Sequence, residues 1–105
     1  MHQRRKIKIA SRFKKKKVRS LAHLNRVRGM YCLICGKPPR NHAHHITYSE
    51  KSGMSVKVGD QWTVPLCAIC HHNLHTSMDG ERLFWAFKGI DPIEKAKELW
   101  NEFKR

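Results

Sequence analysis

CAICHHNLH, residues 67–75, contains two cysteines and three histidines in nine positions. Cysteine and histidine are the side chains that zinc prefers, and a tetrahedral zinc ion takes four ligands. One ion therefore cannot bind all five side chains together with partners elsewhere in the chain. Which of these side chains bind the same metal ion decides both the structure and the function that the sequence predicts.

The cysteines form two pairs of the same spacing, Cys32-x2-Cys35 and Cys67-x2-Cys70. No apolar run reaches the length of a membrane span, and the opening MHQRRKIKIA lacks the apolar region of a secretory signal, so we expect a cytoplasmic protein. Disulfides are rare in that compartment. Each C-x-x-C pair is expected to form a knuckle, a tight turn that presents two thiolates to one metal. The two knuckles therefore predict a structural zinc site with four thiolate ligands. Four free cysteines in the core would leave the repeated spacing unexplained.

The histidines offer a second metal site. On a helix His71 and His75 share one face, whereas His72 is rotated by about 100° from His71 and is expected to face solvent. A third ligand can come from His44 or His45, which fall in a predicted strand. Since neighbouring strand residues point to opposite faces, the second histidine of that pair reaches the site only where the strand ends or bulges. His42 shares the strand face of His44 and is a candidate for a supporting contact.

Charge divides the chain into two parts. The net charge is +14, and residues 1–28 hold 12 of the 22 Lys and Arg residues and none of the 8 acids. We predict a flexible basic arm over residues 1–17 and one folded domain over residues 18–105, with a nucleic acid as the partner rather than a membrane. The candidates for phosphate contacts are Lys14, Lys15, Lys16 and Lys17 in the arm, and Tyr48, Lys51 and Lys57 in the domain.

Apolar spacing and capping residues predict an α+β fold. Ser20 can cap a helix that ends near Gly29, and Asp91-Pro92 begins another helix whose apolar stripe packs on the core. The remaining predicted elements are strands over residues 42–48 and 61–66, a helix that begins near Cys70, and a helix over residues 81–88 that ends at Gly89.

Taken together, these segments resemble a known nuclease motif. His44-His45-Ile46, a loop, and then Val64-Pro65-Leu66-Cys67-x2-Cys70-His71-x3-His75 resemble the HNH (ββα-metal, or His-Me finger) motif with its paired C-x-x-C zinc support. Within that superfamily, HHITYSE, GDQWTVPLC and CHHNLH are most similar to phage recombination-enhancement (Ref-like) nucleases. The resemblance spans roughly residues 30–95, and it implies a small ββα-metal finger with a zinc knuckle pair, flanking helices and a basic N-terminal arm.

The resemblance also implies roles for individual residues. His44 matches a metal ligand, His45 the general base, and His71 and His75 the ligands on the helix. Trp62 stands where the motif has its middle asparagine, so Asp60 is the nearby candidate for bracing the segment that carries the base.

The implied function is metal-dependent endonuclease activity on DNA with low sequence specificity, leaving 5′-phosphate and 3′-hydroxyl ends. The catalytic divalent metal would be Mg²⁺, Mn²⁺, Ni²⁺ or Zn²⁺. The Ref-like resemblance further implies a phage or prophage nuclease in the bacterial cytoplasm that the host recombinase filament directs. Two alternatives stay open: a noncatalytic zinc module that binds DNA or RNA electrostatically, which would make no use of the four histidines, and an RNA-cutting toxin related to HNH colicin domains.

Overall fold

The computed structural model of the protein describes residues 17–50 and 57–105. Most of the predicted arm and Lys51 lie outside these ranges. The described chain is a small α+β fold, which confirms the coarse prediction from the sequence. Its elements are α1 (Leu21–Arg28), β1 (His42–His45), β2 (Thr63–Leu66), α2 (Ala68–His75), α3 (Glu81–Lys88) and α4 (Pro92–Lys104). None of the helices in the described ranges is long and apolar enough to cross a membrane.

The two strands form an antiparallel pair that brings distant parts of the sequence together. His42 pairs with Leu66, His44 with Val64, and His45 with Thr63. β1 is shorter than the predicted strand over residues 42–48. It ends at His45 because the N–H of Thr47 donates to the Glu81 carboxylate instead of to a strand. His45 therefore lies at the end of the strand, where side chains need not alternate strictly between the two faces.

Helix α2 begins earlier than the sequence predicts. The expected start lay near Cys70, whereas the helix runs from Ala68. Cys67 is its N-cap, with extended backbone angles and a sulfur that accepts the N–H of Cys70 at 3.4 Å. A cysteine does not belong to the usual N-cap residues, so its capping role is not visible in a propensity pattern.

In the other helices, the residues that cap the ends are those predicted from the sequence. Ser20 caps α1 by accepting the N–H of His23, and α3 stops at Gly89, whose φ of 70° is the left-handed conformation that favours glycine. Asp91 caps α4 by accepting the N–H groups of Ile93 and Glu94.

One apolar cluster joins the sheet, the knuckles and the C-terminal helices. Its members include Ile46, Leu66, Trp85 and Ala96, and it incorporates Cys32, Cys67 and Cys70. Because these three sulfurs lie within this small core, a metal bound to them would add a cross-link where hydrophobic burial alone is limited.

Candidate metal centres and the His45 pair

The four cysteine sulfurs come together at one place. The sulfurs of Cys32, Cys35, Cys67 and Cys70 all lie within 4.8 Å of one another, and those of Cys35 and Cys67 are 3.6 Å apart. Zinc–sulfur bonds of about 2.3 Å place the ligands of a tetrahedral site about 3.8 Å apart. The four thiols could therefore hold a metal ion without rearrangement of the backbone.

The two knuckles share the same local geometry. In each, the N–H of the second cysteine donates to the sulfur of the first, at 3.5 Å from Cys35 to Cys32 and at 3.4 Å from Cys70 to Cys67. The first knuckle closes through Gly36, whose φ of 78° requires a residue without a Cβ. The N–H of Leu33 donates to the carbonyl of Pro65 and thereby docks this knuckle beside β2.

Hydrogen bonds from backbone N–H groups lower the pKa of two of the four thiols, Cys32 and Cys67. Burial alone would raise the pKa of Cys32, but hydrogen bonds from the N–H groups of Cys35, Cys67 and Ile34 outweigh it and lower the pKa to about 6. The N–H of Cys70 similarly lowers the pKa of Cys67. Burial and the neighbouring sulfurs raise the pKa of Cys70. Thiolates are the metal-binding form of cysteine, so the hydrogen bonds that stabilise the thiolates of Cys32 and Cys67 favour the binding of a cation.

A second group of ligand atoms lies between β1 and α2. His71 Nε2 is 3.1 Å from His44 Nδ1 and 3.1 Å from His75 Nε2. His44 is buried, His71 is half-buried and His75 is exposed. The i and i+4 spacing on α2 and the strand position of His44 therefore produce the three-histidine cluster that the sequence predicts.

The chemistry of these three imidazoles suits a cation. His71 Nε2 carries either one hydrogen or one lone pair, so it can form a hydrogen bond with only one of its two neighbours, and at least one close nitrogen pair has no hydrogen bond to hold it. Burial, followed by His44, His75 and His42, lowers the pKa of His71 to about 4. The ring is therefore neutral near pH 7 and keeps a lone pair for a metal. The group could hold a divalent ion with positions left for water or substrate.

Glu81 forms a hydrogen bond with the buried His44 on the side away from His71, and this residue is not predicted from the sequence. Its Oε2 accepts from His44 Nε2 at 2.7 Å. Burial alone would raise the pKa of Glu81, but hydrogen bonds from His44 and Thr47 outweigh it and lower the pKa to about 2. The sequence showed Glu81 only as the first residue of a helix. Its contact with a histidine 37 positions earlier has no local signal.

His42 occupies the corresponding position behind His71. The two Nδ1 atoms are 2.8 Å apart, and both rings belong to the cluster of edge contacts around His71. Because His71 Nε2 faces His44 and His75, its Nδ1 is free to donate to His42. The structure thus places His42 beside His71. Its role, as a supporting contact or as a phosphate contact, stays a prediction.

His45 points to a different partner from that of His44. Its Nε2 is 2.8 Å from Asp60 Oδ1, and both side chains are largely buried. A carboxylate only accepts, so Nε2 carries the hydrogen and Nδ1 keeps the lone pair. Burial lowers the pKa of His45, while Asp60 acts in the opposite direction, and the lowered value keeps the ring neutral near pH 7.

Asp60 is fixed by the start of α1. Its Oδ2 accepts the N–H of Ser20 at 2.8 Å, and Arg19 lies 3.8 Å from Oδ1 while donating to the carbonyls of Lys57 and Val58. Burial alone would raise the pKa of Asp60, but the hydrogen bonds from His45 and Ser20 outweigh it and lower the pKa. The contact with Asp60 that the sequence suggested for bracing His45 is thus present, and Arg19 and Ser20 are additional partners that the sequence did not indicate.

The predicted phosphate contacts lie at different places. Lys17 forms an ion pair with Glu50 at 3.7 Å, Lys57 is exposed, and the ring of Tyr48 packs against the core with Arg82 4.5 Å above it. His72 is exposed, as predicted. Lys14, Lys15, Lys16 and Lys51 fall outside the described residues, so their predicted contacts stay predictions.

The fold and these clusters define a class: a small α+β protein in which the first cysteine pair, strand β1 and helix α2 with its N-cap bring together two groups of side chains that could each hold a metal ion. Residues 8–86 match the family described as "Protein of unknown function (DUF968)", and the chain belongs to that family. Neither a curated protein nor a solved structure matches the chain.

Proposed function

We propose that this protein is a metal-dependent endonuclease of the HNH type that hydrolyses DNA phosphodiester bonds with low sequence specificity. The observation that carries the proposal is the pairing of His45 with Asp60, next in sequence to a histidine that belongs to a three-imidazole cluster. A purely structural or electrostatic zinc module needs the four cysteines and a basic surface. It has no use for a braced neutral histidine beside a second ligand group.

In this proposal His45 is the general base. The Asp60 carboxylate holds the hydrogen on Nε2, so Nδ1 can accept a proton from an attacking water. The water oxygen forms a bond to phosphorus while the bond from phosphorus to the 3′ oxygen breaks. That oxygen takes up a proton from solvent water, His45 later returns its proton to solvent, and the products carry 5′-phosphate and 3′-hydroxyl ends.

His44, His71 and His75 are the proposed ligands of the catalytic cation. A bound divalent ion supplies positive charge that stabilises the negative charge on the phosphate and on the leaving oxygen. Three imidazole ligands favour Zn²⁺, Ni²⁺, Mn²⁺ or Co²⁺ over Mg²⁺, although phosphate oxygens make Mg²⁺ usable in an open site. The residues themselves hold and orient the cation on the face of β1 that is turned towards α2.

The thiolate cluster is proposed to be a structural zinc site. All four ligands come from the protein, which leaves a tetrahedral ion no open position for substrate. Cys67 is also the N-cap of α2, so zinc bound there would fix the helix that carries His71 and His75.

Positive charge supports a nucleic acid as substrate. The arm from residue 1 to 17 is proposed to bind phosphates non-specifically, with an affinity that falls steeply as salt rises. The Ref-like resemblance adds the narrower proposal of a phage or prophage nuclease that the host recombinase filament directs to single-stranded DNA. Such a filament would supply the targeting, since residues 17–50 and 57–105 form one small fold without a second module to read sequence.

The test is cleavage of supercoiled plasmid and of single-stranded DNA by the full chain with Mg²⁺, Mn²⁺, Ni²⁺ or Zn²⁺. Each reaction is run with and without a recombinase filament, beside the His45→Ala variant. General-base catalysis contributes about 10²–10⁴-fold, so the variant should lose activity by a factor in that range. Zinc content and thermal unfolding of both proteins separate a lost base from a folding defect.

His72→Ala is the matched control, because this histidine is exposed and lies outside both ligand groups. Full activity of His72→Ala beside an inactive, zinc-loaded His45→Ala protein supports the assignment. If the wild type cuts neither substrate with any metal and yet binds DNA at low salt, the noncatalytic zinc module is the better account.

A further inference from the structure

Glu81 makes contacts that the proposed reaction does not use. Its side chain is only 7% exposed and reaches from the first turn of α3 to β1, where Oε2 lies 2.7 Å from His44 Nε2. We propose that Glu81 is a positioning residue for the second metal site: it fixes which nitrogen of His44 faces the cation and thereby sets the affinity of the three-histidine cluster.

The contact fixes the tautomer of His44. An ionised carboxylate accepts hydrogen bonds and cannot donate them, so His44 Nε2 carries the hydrogen. Nδ1 then keeps its lone pair, and this is the atom that lies 3.1 Å from His71 Nε2. A carboxylate behind a metal-bound imidazole also increases the basicity of the ligating nitrogen and restricts rotation of the ring.

The carboxylate is itself held by a full set of donors. Oε1 accepts from the N–H and the hydroxyl of Thr47, at 3.0 and 2.6 Å. Oε2 accepts from Trp85 Nε1 at 2.9 Å in addition to His44. A carboxylate offers about four lone-pair sites, and four donors use them here. The Glu81 side chain therefore cannot rotate without losing hydrogen bonds. Its fixed position in turn restricts the orientation of the His44 imidazole.

An ordinary helix-start role does not account for these contacts. Asp91 shows that role, since its carboxylate accepts two backbone N–H groups of α4. The donors to Glu81 are two groups of Thr47, one histidine and the indole of Trp85, and none is a backbone N–H of α3. The side chain is thus directed at the ligand and not at its own helix.

The inference rests on one part of the proposed function, the binding of a cation by His44, His71 and His75, and does not depend on nuclease activity. Glu81→Gln is the informative variant. The amide keeps the size of the side chain but offers only one oxygen, so it cannot accept at both positions. An amide nitrogen turned towards His44 would oblige Nε2 to accept and would move the hydrogen to Nδ1, the metal-facing atom.

The experiment titrates Co²⁺ into the full chain after the thiolate site has been loaded with one equivalent of zinc. Affinity is measured by competition with a chromophoric chelator, and the visible spectrum reports the coordination. Thiolate charge-transfer absorption would reveal any exchange into the cysteine site. Replacement of a residue behind a ligand typically costs 10–100-fold in metal affinity, and we expect a loss of about that size for Glu81→Gln.

Three further variants separate positioning from charge and from folding. Glu94→Gln removes the same charge from the first turn of α4, away from the cluster, and should leave the affinity unchanged. Thr47→Val removes one donor to Oε1 but leaves the contact with His44, so its loss should be small. Glu81→Asp keeps the charge one methylene short of His44 and should resemble Glu81→Gln. Thermal unfolding of each zinc-loaded variant shows that it is folded at the temperature of the titration.

The outcomes are distinct. Weaker Co²⁺ binding in both folded Glu81 variants, with Glu94→Gln unchanged and Thr47→Val only slightly weaker, supports the inference whether or not the protein cuts DNA. Unchanged affinity in Glu81→Gln overturns it and leaves the metal site of the proposed function standing. If the zinc-loaded wild type binds no Co²⁺ at all, or if His44→Ala binds it as well as the wild type, both the inference and that metal site fall.

Discussion

The side-chain carboxylate of Asp60 links His45 to the start of α1. Asp60 Oδ1 lies 2.8 Å from His45 Nε2, while Oδ2 accepts the N–H of Ser20 at 2.8 Å. The N–H of Asp60 in turn donates to the carbonyl of Val18. The orientation of the proposed base therefore depends on the segment that leads from the basic arm into the domain.

Asp60→Asn is expected to lower the cleavage rate strongly while metal loading stays intact. The amide can present its nitrogen to His45, and the ring would then carry its hydrogen on Nδ1, where the lone pair is needed. We expect a loss towards the lower end of the roughly 10²–10⁴-fold contribution of general-base catalysis. Single-turnover cleavage rates, measured beside the bound zinc content, provide the check.

The exposed Asp79 supplies the matched control, because Asp79→Asn makes the same change in a turn outside the site. Asp60→Asn also weakens the link to Ser20, so its unfolding free energy is measured as well. An Asp60→Asn protein that is folded, metal-loaded and fully active would remove Asp60 from the catalytic account.

Cys35→Ala is expected to destabilise the protein only when zinc is present. Cys35 is exposed, so its side chain contributes little burial, whereas its sulfur is one of the four that converge. A ligand held at about 1,000 times its Kd adds about 4 kcal/mol to stability, and loss of tight zinc binding should lower the free energy of unfolding by an amount of that order.

Denaturant unfolding with zinc and with a strong chelator gives the measurement. In zinc, the wild type should be clearly more stable than Cys35→Ala, and in chelator the two proteins should be nearly equal. Equal stabilities under both conditions would mean that the thiolate cluster does not hold a structural metal.

Buried His23 is expected to make the protein less stable as the pH falls. The ring packs against both Trp100 and Phe103, and within the described part of the chain neither of its nitrogens has a hydrogen-bond partner. Burial, followed by the charge of Arg26, lowers the pKa of His23 from 6.5, and the charge of Asp60 only partly opposes this. Below pH 6.5 the unfolded chain therefore takes up a proton that the folded chain refuses, so stability is complete above that pH and falls below it, down to the folded pKa.

The effect is measured as the difference in unfolding free energy between pH 7.5 and pH 5.5, values chosen to bracket the ordinary pKa of about 6.5. One proton accounts for at most about 1.4 kcal/mol per pH unit. His23→Phe should lose this component, whereas His72→Gln, at an exposed position, should keep it. Zinc release in acid is common to all three proteins and cancels in the comparison. A His23→Phe protein with the full wild-type pH dependence would contradict the assignment.

The parts of the structure that the sequence predicted are those with local signals. Ser20, Gly89 and Asp91 mark helix ends through their own conformational preferences, and the confirmed bounds of α1, α3 and α4 follow from them. The convergence of the cysteines was equally predictable, because two pairs of identical spacing suit one tetrahedral ion.

The parts that the sequence did not predict depend on contacts between distant residues. The strand β1 ends early because Glu81, far along the chain, accepts the N–H of Thr47. Helix α2 begins early because a sulfur replaces the usual oxygen cap. The hydrogen bond between Glu81 and His44 was not predicted for the same reason, since the two residues are distant in sequence. No periodicity or capping rule reports a pairing that exists only after the hairpin and α3 have packed.

His42→Ala is expected to weaken metal binding at the histidine cluster less than Glu81→Gln does. Each of the two residues contacts a proposed metal ligand, His42 contacting His71 and Glu81 contacting His44. His42 is exposed, however, so water can take its place as the acceptor for His71 Nδ1–H, whereas water has little access to the buried side of His44. We expect a loss of affinity of no more than about tenfold, at the low end of the range for such contacts. The Co²⁺ competition titration provides the ranking, with His72→Ala as the control for removing an exposed histidine nearby. A larger loss in His42→Ala than in Glu81→Gln would indicate that His42 binds the cation itself instead of supporting His71.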